Sequence, residues 1–258
     1  YMSASIFKAY DIRGLVDKEL TPDFAFATGI AVARFLEQER EPGTVVIGED
    51  MRPSSPTLAT AFAAGVTSQG LDVIRIGLAS TDMLYFASGK LNLPGAMFTA
   101  SHNPAEYNGI KLCQAGAAPV GQDSGLSRIR EMLESENLPN YDGPYGSTSS
   151  QDMLLAYAQY LRELVPLDKS RRLKVVIDTG NGMGGFTVPA VLGDEILPSL
   201  PLEIDAMYFE LDGTFPNHEA NPLDESTLRD LKQAMIDQKA DLGLAFDGDA
   251  DRCFLVDE

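Results

Sequence analysis

The sequence predicts an α/β protein of two consecutive domains, each a mainly parallel mixed sheet flanked by helices. Three observations predict it. Short apolar runs alternate with segments of helical period along the whole chain. A turn-rich stretch at 139–150 (Pro-Asn-Tyr-Asp-Gly-Pro-Tyr-Gly-Ser-Thr-Ser-Ser) interrupts the alternation, which then resumes. The polar clusters fall directly after strand-like runs, where open α/β sheets gather their ligands. The expected domains are 1–149 and 150–258, and 258 residues are enough for two ordinary cores.

The elements follow in order. Tyr1 ahead of Met2 reads as an appended residue and is set aside. Residues 8–14 read as a polar, irregular approach to the first helix. Thr21-Pro22 opens that helix, which runs to about Arg40, with proline at a first helical position. A strand covers 44–48. A helix with Ser54 as its N-cap covers 54–69 and stops at Gly70. Strands follow at 71–76, 95–99 and 109–113, then a helix near 122–135. In the second half the pattern predicts helices at 152–165, 184–192 and 226–239. It predicts strands at 172–178, 203–209, 240–246 and 252–256. No sequence repeat links the halves.

Composition excludes several classes. Hydrophobic residues make up 44% and charged residues 22%, as in globular proteins. The net charge of −18 argues against nucleic acid or an anionic membrane as partner. A phosphorylated ligand would need local cations to overcome that field. The two cysteines, Cys113 and Cys253, lie in apolar runs, which fits a reducing cytoplasm better than a disulfide framework. No apolar run is long enough to span a bilayer, and no signal pattern opens the chain.

The sharpest motif is Asp247-Gly248-Asp249-Ala250-Asp251-Arg252, directly after the strand at 240–246. Three acids in five residues repel one another unless a cation sits among them. Oxygen-only ligands suit a hard ion such as Mg²⁺, and the arginine offers a fork of donors to a phosphate. The plain alternative is a solvated acidic turn. A calcium loop starting at Asp247 would put its closing acid at Glu258. It would also need glycine where Arg252 stands and a helix upstream, where a strand is expected.

Thr99-Ala100-Ser101-His102-Asn103-Pro104 follows another strand, and its Asn-Pro favours a turn that exposes Ser101 at the strand end. The Gly-x-Ser-x-Gly of a hydrolase is absent, and His218 has no zinc partners in sequence. Lys111 alternates with Ile110 and Leu112, so it faces away from them, toward solvent or toward a cleft. Arg13 beside Gly14, and Arg52 after the strand at 44–48, are candidate anion contacts. Gly180-Asn181-Gly182-Met183-Gly184-Gly185 matches the dinucleotide fingerprint, with Glu203 and Asp205 downstream as ribose acids. Such glycines are equally demanded by a tight strand–helix turn.

Taken together, five segments in order resemble the α-D-phosphohexomutase family, which includes phosphomannomutase, phosphoglucomutase and phosphoglucosamine mutase. They are Lys8–Gly14, Thr99–Lys111, Asp178–Gly182, Phe215–His218 and Asp247–Arg252. Tyr-Asp-Ile-Arg-Gly and Thr-Ala-Ser-His-Asn-Pro are similar to the phosphomannomutase/phosphoglucomutase branch.

The resemblance implies that hexose 1-phosphate and hexose 6-phosphate are interconverted through a phosphoserine at Ser101. A hexose 1,6-bisphosphate serves as intermediate and activator. It implies one Mg²⁺ per chain on Ser101, Asp247, Asp249 and Asp251. Lys111 is the implied acid/base, and Arg13 and Arg252 stabilise charge. His102 and Asn103 shape the loop, and Tyr10 lines the site. The glycines at 180–185 become a structural turn. Family members have two further domains, so the chain resembles an N-terminal pair, expected to turn over little alone. Two other readings stay open: a metal or sugar-phosphate binding module without catalysis, and a nucleotide-dependent oxidoreductase.

Overall fold

A computed structural model describes residues 6–138 and 140–257. Tyr1 and Met2, Pro139 of the expected linker and Glu258 of the calcium reading lie outside the described residues. The chain divides into two compact units. One comprises Tyr1–Ala100 and Glu106–Asp152, the other Ser101–Ala105 and Met153–Glu258.

The first unit begins with β1 (Ile12–Leu15), a strand where an irregular approach was expected. Only Ile12 and Gly14 of its four residues are buried, so polar edge residues hide its period. Helix α1 (Pro22–Gln38) starts as expected: Thr21 Oγ1 accepts from the Phe24 amide at 3.1 Å and proline opens the first turn. Strand β2 (Thr44–Glu49) follows, then α2 (Ser55–Thr67). Ser54 precedes α2 but makes no capping bond, because its hydroxyl accepts from Asn108 Nδ2 instead.

Strand β3 (Asp72–Leu78) leads to α3 (Thr81–Leu91), a helix the sequence reading missed. Its aromatic residues and Gly89 mask a helical period, but its ends are signalled. Ser80 caps the Met83 amide, and Asn92 closes it in a left-handed conformation. Strands β4 (Gly95–Phe98), β5 (Tyr107–Gln114) and β6 (Ala118–Pro119) come next. A short π-turn at Gln122–Leu126 runs into α4 (Ser127–Glu134). Strand β7 (Thr148–Ser150) completes the sheet from within the expected linker.

The sheet order is β1-β5-β4-β2-β3-β7, with β6 beside β5. Pairing is parallel from β4 to β7 and antiparallel around β5. One core joins Ile12, Ile47, Phe98 and Ile110 of the sheet to Phe35, Leu36, Leu58 and Phe62 of α1 and α2.

The second unit contains α5 (Leu154–Leu164), β8 (Leu173–Asp178), α6 (Gly184–Val191) and β9 (Leu202–Met207). It continues with a 3₁₀ turn at Glu225–Leu228, α7 (Arg229–Gln238), β10 (Leu242–Phe246) and β11 (Cys253–Val256). The order is β11-β10-β8-β9, parallel except for the β10–β11 hairpin. Two small cores cover its faces, one around Val176, Leu231 and Met235, the other around Val175, Ile177 and Val188. The hairpin turn is the acidic hexapeptide, so the topology itself places those acids at the C-terminal end of a parallel strand. Among the described residues no helix is long and apolar enough to cross a membrane.

Candidate active site

The acid loop is tightly tied. The Asp247 amide donates to Arg252 O at 3.3 Å, the Arg252 amide returns to Asp247 Oδ1 at 3.2 Å, and the Ala250 amide donates to Asp247 O at 3.1 Å. Ala250 takes a left-handed φ of 56° to close the turn. This fold turns the alternate acids inward. One ligand oxygen from each of Asp247, Asp249 and Asp251 lies within 4.8 Å of the others, and Asp247 and Asp249 are buried.

The electrostatic consequence is large. Burial raises the Asp247 pKa to about 8, and the charges of Asp249 and Asp251 push in the same direction. The bond from the Arg252 amide offsets only part of this, and the Arg252 guanidinium adds little: its Nε lies 3.9 Å from Asp247 Oδ2 and its side chain is half-exposed. A donor set of carboxylate oxygens fits a hard divalent ion, which would relieve this repulsion. The helix–loop–helix calcium reading fails because β10, not a helix, precedes the loop.

Ser101 belongs to the same unit. It is fully buried with a left-handed φ of 54°, and its hydroxyl donates to Asp247 Oδ2 at 3.3 Å. His102 Nδ1 lies 3.5 Å from the same hydroxyl, and Asn103 follows in the turn. The close approach depends on Gly248, which sequence reasoning passed over as a spacer. A Cβ there would sit 2.3 Å from Ser101 O. The alternating acid–small–acid pattern was the available signal: two of the intervening residues have jobs of their own.

The first unit holds the other candidates. Register pairs Arg13 with Gly109 and Ile12 with Ile110 across β1 and β5, so Arg13 and Lys111 share one face of the sheet. Both Nε and Nη2 of Arg13 bond Asp11 Oδ2, at 3.2 and 2.5 Å. Tyr10 is 77% exposed.

Arg52 differs from the expected anion contact. It is 1% exposed and engaged inside the unit: Nε bonds Asp50 Oδ2 at 3.2 Å and Nη1 bonds Tyr107 O at 3.0 Å. Asp50 also accepts from the Arg52 amide and from Ser55 Oγ. A guanidinium so placed braces the strand ends that flank the serine loop.

The glycine turn weighed as a dinucleotide site is filled by protein. The Met183 amide, at the start of α6, donates to Gly248 O at 2.9 Å rather than facing open space.

A family model for phosphoglucomutase/phosphomannomutase alpha/beta/alpha domain I matches residues 4–139, and the corresponding domain II matches 156–258. The chain belongs to the phosphoglucomutase/phosphomannomutase family. A phosphomannomutase of Escherichia coli K12 is 40% identical over 257 residues, covering 98% of this chain and 55% of that protein. A phosphohexose mutases protein of Xanthomonas campestris pv. campestris strain B100 is also 40% identical, over 99% of this chain and 55% of its own length. Among solved structures, a phosphoglucomutase/phosphomannomutase family protein from Burkholderia thailandensis superposes with a TM-score of 0.86. It has 30% identity and covers 100% of this chain and 55% of its own. The chain therefore spans about half the length of the relatives it matches.

Proposed function

We propose that this chain carries the phosphoryl-transfer part of a hexose phosphate mutase of the phosphomannomutase/phosphoglucomutase kind. The observation that carries the reading is Ser101 Oγ, held 3.3 Å from Asp247, one of three carboxylates able to share one cation. Ser101 Oγ bears the phosphoryl group. Asp247, Asp249 and Asp251, with an oxygen on Ser101, would hold one Mg²⁺. When bound, the ion neutralises charge on the phosphoryl oxygens. A hydroxyl of the hexose phosphate bonds phosphorus as the Ser101 Oγ–P bond breaks, giving hexose 1,6-bisphosphate. Lys111 Nζ takes the hydroxyl proton, and Ser101 Oγ leaves as an alkoxide whose charge the bound cation would neutralise. Lys111 returns the proton to the sugar oxygen when a phosphoryl group passes back to Ser101 Oγ.

Arg13 and Arg252 supply donors for equatorial oxygens, where phosphoryl transfer demands charge neutralisation. His102 and Asn103 fix the serine turn, and Tyr10 lines the sugar's approach. The proposed division is domains 1–149 and 150–258, with residues 101–105 of the first grouped with the second unit. A reducing cytoplasmic setting suits the two free cysteines, Cys113 buried and Cys253 exposed.

The test is intact mass and peptide mapping before and after incubation with Mg²⁺ and glucose 1,6-bisphosphate. The reading expects one added phosphoryl group on the peptide holding Ser101, absent in Ser101→Ala. A chain that binds Mg²⁺ yet leaves Ser101 unmodified would instead be a binding module. A steady-state assay from glucose 1-phosphate to glucose 6-phosphate measures how far the full cycle runs.

A further inference from the structure

His218 takes no part in the site as described, yet its ring is fixed on both sides. Its Nε2 lies 2.7 Å from Asp178 Oδ2 and its Nδ1 lies 2.7 Å from Glu219 O. A carboxylate and a carbonyl can only accept. Both ring nitrogens must therefore donate, which only the imidazolium can do.

The other Asp178 oxygen accepts from the Gly180 amide at 2.8 Å, so the clasp continues into the strand–helix turn. That turn is the seat of the acid loop. The Met183 amide donates to Gly248 O, and a Cβ on Gly182 would stand 2.7 Å from the same oxygen. Asn217 Nδ2 ties the His218 segment to Asn181 Oδ1 at 2.9 Å. Sheet register sets Asp178 opposite Ala245, two residues before Asp247. A continuous set of bonds thus runs from His218 through Asp178 and the turn to Gly248, between the first two metal-competent acids.

We propose that His218, as an imidazolium clasped between Asp178 and the Glu219 carbonyl, is a positioning residue that holds the 178–183 turn against Gly248 and so sets the geometry of the acid trio. The inference rests on the reading that this trio takes a divalent cation. The charged and titratable groups facing the ring are Asp178 of β8, Tyr208 after β9 and Asp230 of α7. Tyr208 stacks edge-on at 5.5 Å and donates to Asp230 at 2.7 Å. That bond to Asp230, with burial, pushes the Tyr208 pKa up to about 12, so Tyr208 stays neutral while both acids favour the cation. Burial lowers the pKa of His218, but Asp178, the Glu219 carbonyl and Asp230 outweigh it and the net shift is upward. The clasp is therefore closed at neutral pH and opens as pH rises through the folded-state value.

The experiment compares the full chain with His218→Gln, which keeps size and one donor, using three readouts. Ring nitrogen NMR should report both nitrogens protonated at neutral pH. Exchange of the Met183 amide should quicken in His218→Gln while α1 amides stay unchanged. Mn²⁺ affinity should fall about tenfold, as for other residues that orient metal ligands. The ratio of the two affinities should shrink toward one as pH rises above neutral and the wild-type ring loses its proton. Titration of the shared ligands cancels in that ratio. A singly protonated ring at neutral pH, or wild-type Met183 exchange and Mn²⁺ affinity in His218→Gln, overturns the proposal. If the wild-type chain takes no Mn²⁺, the metal reading falls. The ring signature and Met183 exchange then still decide whether the clasp exists.

Discussion

Asp50 and Asp247 are both buried carboxylates at the C-terminal ends of parallel strands, and their surroundings are opposite. Burial raises the pKa of each. Around Asp50 every neighbour donates: Arg52, Ser55 and Thr99 pull the pKa back down. Around Asp247 the charges of Asp249 and Asp251 push it further up. The first carboxylate is already neutralised by protein and braces the fold. The second is crowded by its own kind and needs a cation from outside. Burial alone does not mark a functional acid; the sign of what surrounds it does.

The largest expected effect breaks the first case. Arg52→Met leaves Asp50 as an uncompensated buried charge and Tyr107 O without its donor. The cost is about 3–5 kcal/mol, read as a lower urea midpoint. The double variant Asp50→Leu/Arg52→Met removes both charges and should recover at least half of that loss. If Arg52→Met alone were harmless, Arg52 would not be the brace described here, and its role as an anion contact would reopen.

The second prediction sharpens the other case. A carboxyl whose folded pKa lies above its unfolded value binds more protons in the fold. Stability is then greatest below about pH 4 and declines until the pH passes about 8. Without divalent ions the wild type should lose stability on the order of 5 kcal/mol relative to Asp247→Asn across that window, measured by denaturation at several pH values. Adding Mg²⁺ offsets part of that loss. At a hundredfold excess over Kd the wild type gains about 2.7 kcal/mol, and Asp247→Asn gains little.

The third prediction concerns the contact that brings serine to the acids. Gly248→Ala puts a Cβ 2.3 Å from Ser101 O. The serine turn must move away, at about 1–3 kcal/mol. Mg²⁺ stabilisation should fall by more than a remote substitution of equal cost would cause. Calorimetric titration of the variant checks it.

These contrasts also explain what the sequence could show. The alternation of strands and helices was legible because the central parallel strands carry short apolar runs, as in Val45-Val46-Ile47 and Val175-Val176-Ile177. Strand β1 was not, since one face meets polar surroundings and its side chains read as a loop. Helix α3 was hidden by Tyr85, Phe86 and Gly89, though Ser80 and Asn92 mark its ends. In the site, the acids and Ser101 were legible because their types and spacing carry the chemistry. The surroundings of Arg52 were not legible because sequence reports a charge but not its partner, and Asp50 two residues earlier is that partner. The contribution of Gly248 and His218 is long-range contact, which no local pattern encodes.

The smallest prediction tests whether the acid loop holds useful strain. Ala250 adopts φ 56°, a region that penalises a side chain by about 1 kcal/mol. Ala250→Gly relieves that penalty but makes the unfolded chain more flexible, so the net gain should be about 0.5 kcal/mol. A scaffold residue would behave that way and leave metal affinity unchanged. Should Ala250→Gly stabilise the protein while weakening Mn²⁺ binding, the left-handed alanine is part of how the loop keeps Asp249 and Asp251 aimed. The contrast with Asp50 would then extend from charge to backbone: one strand end relaxed and satisfied, the other held under tension for a ligand.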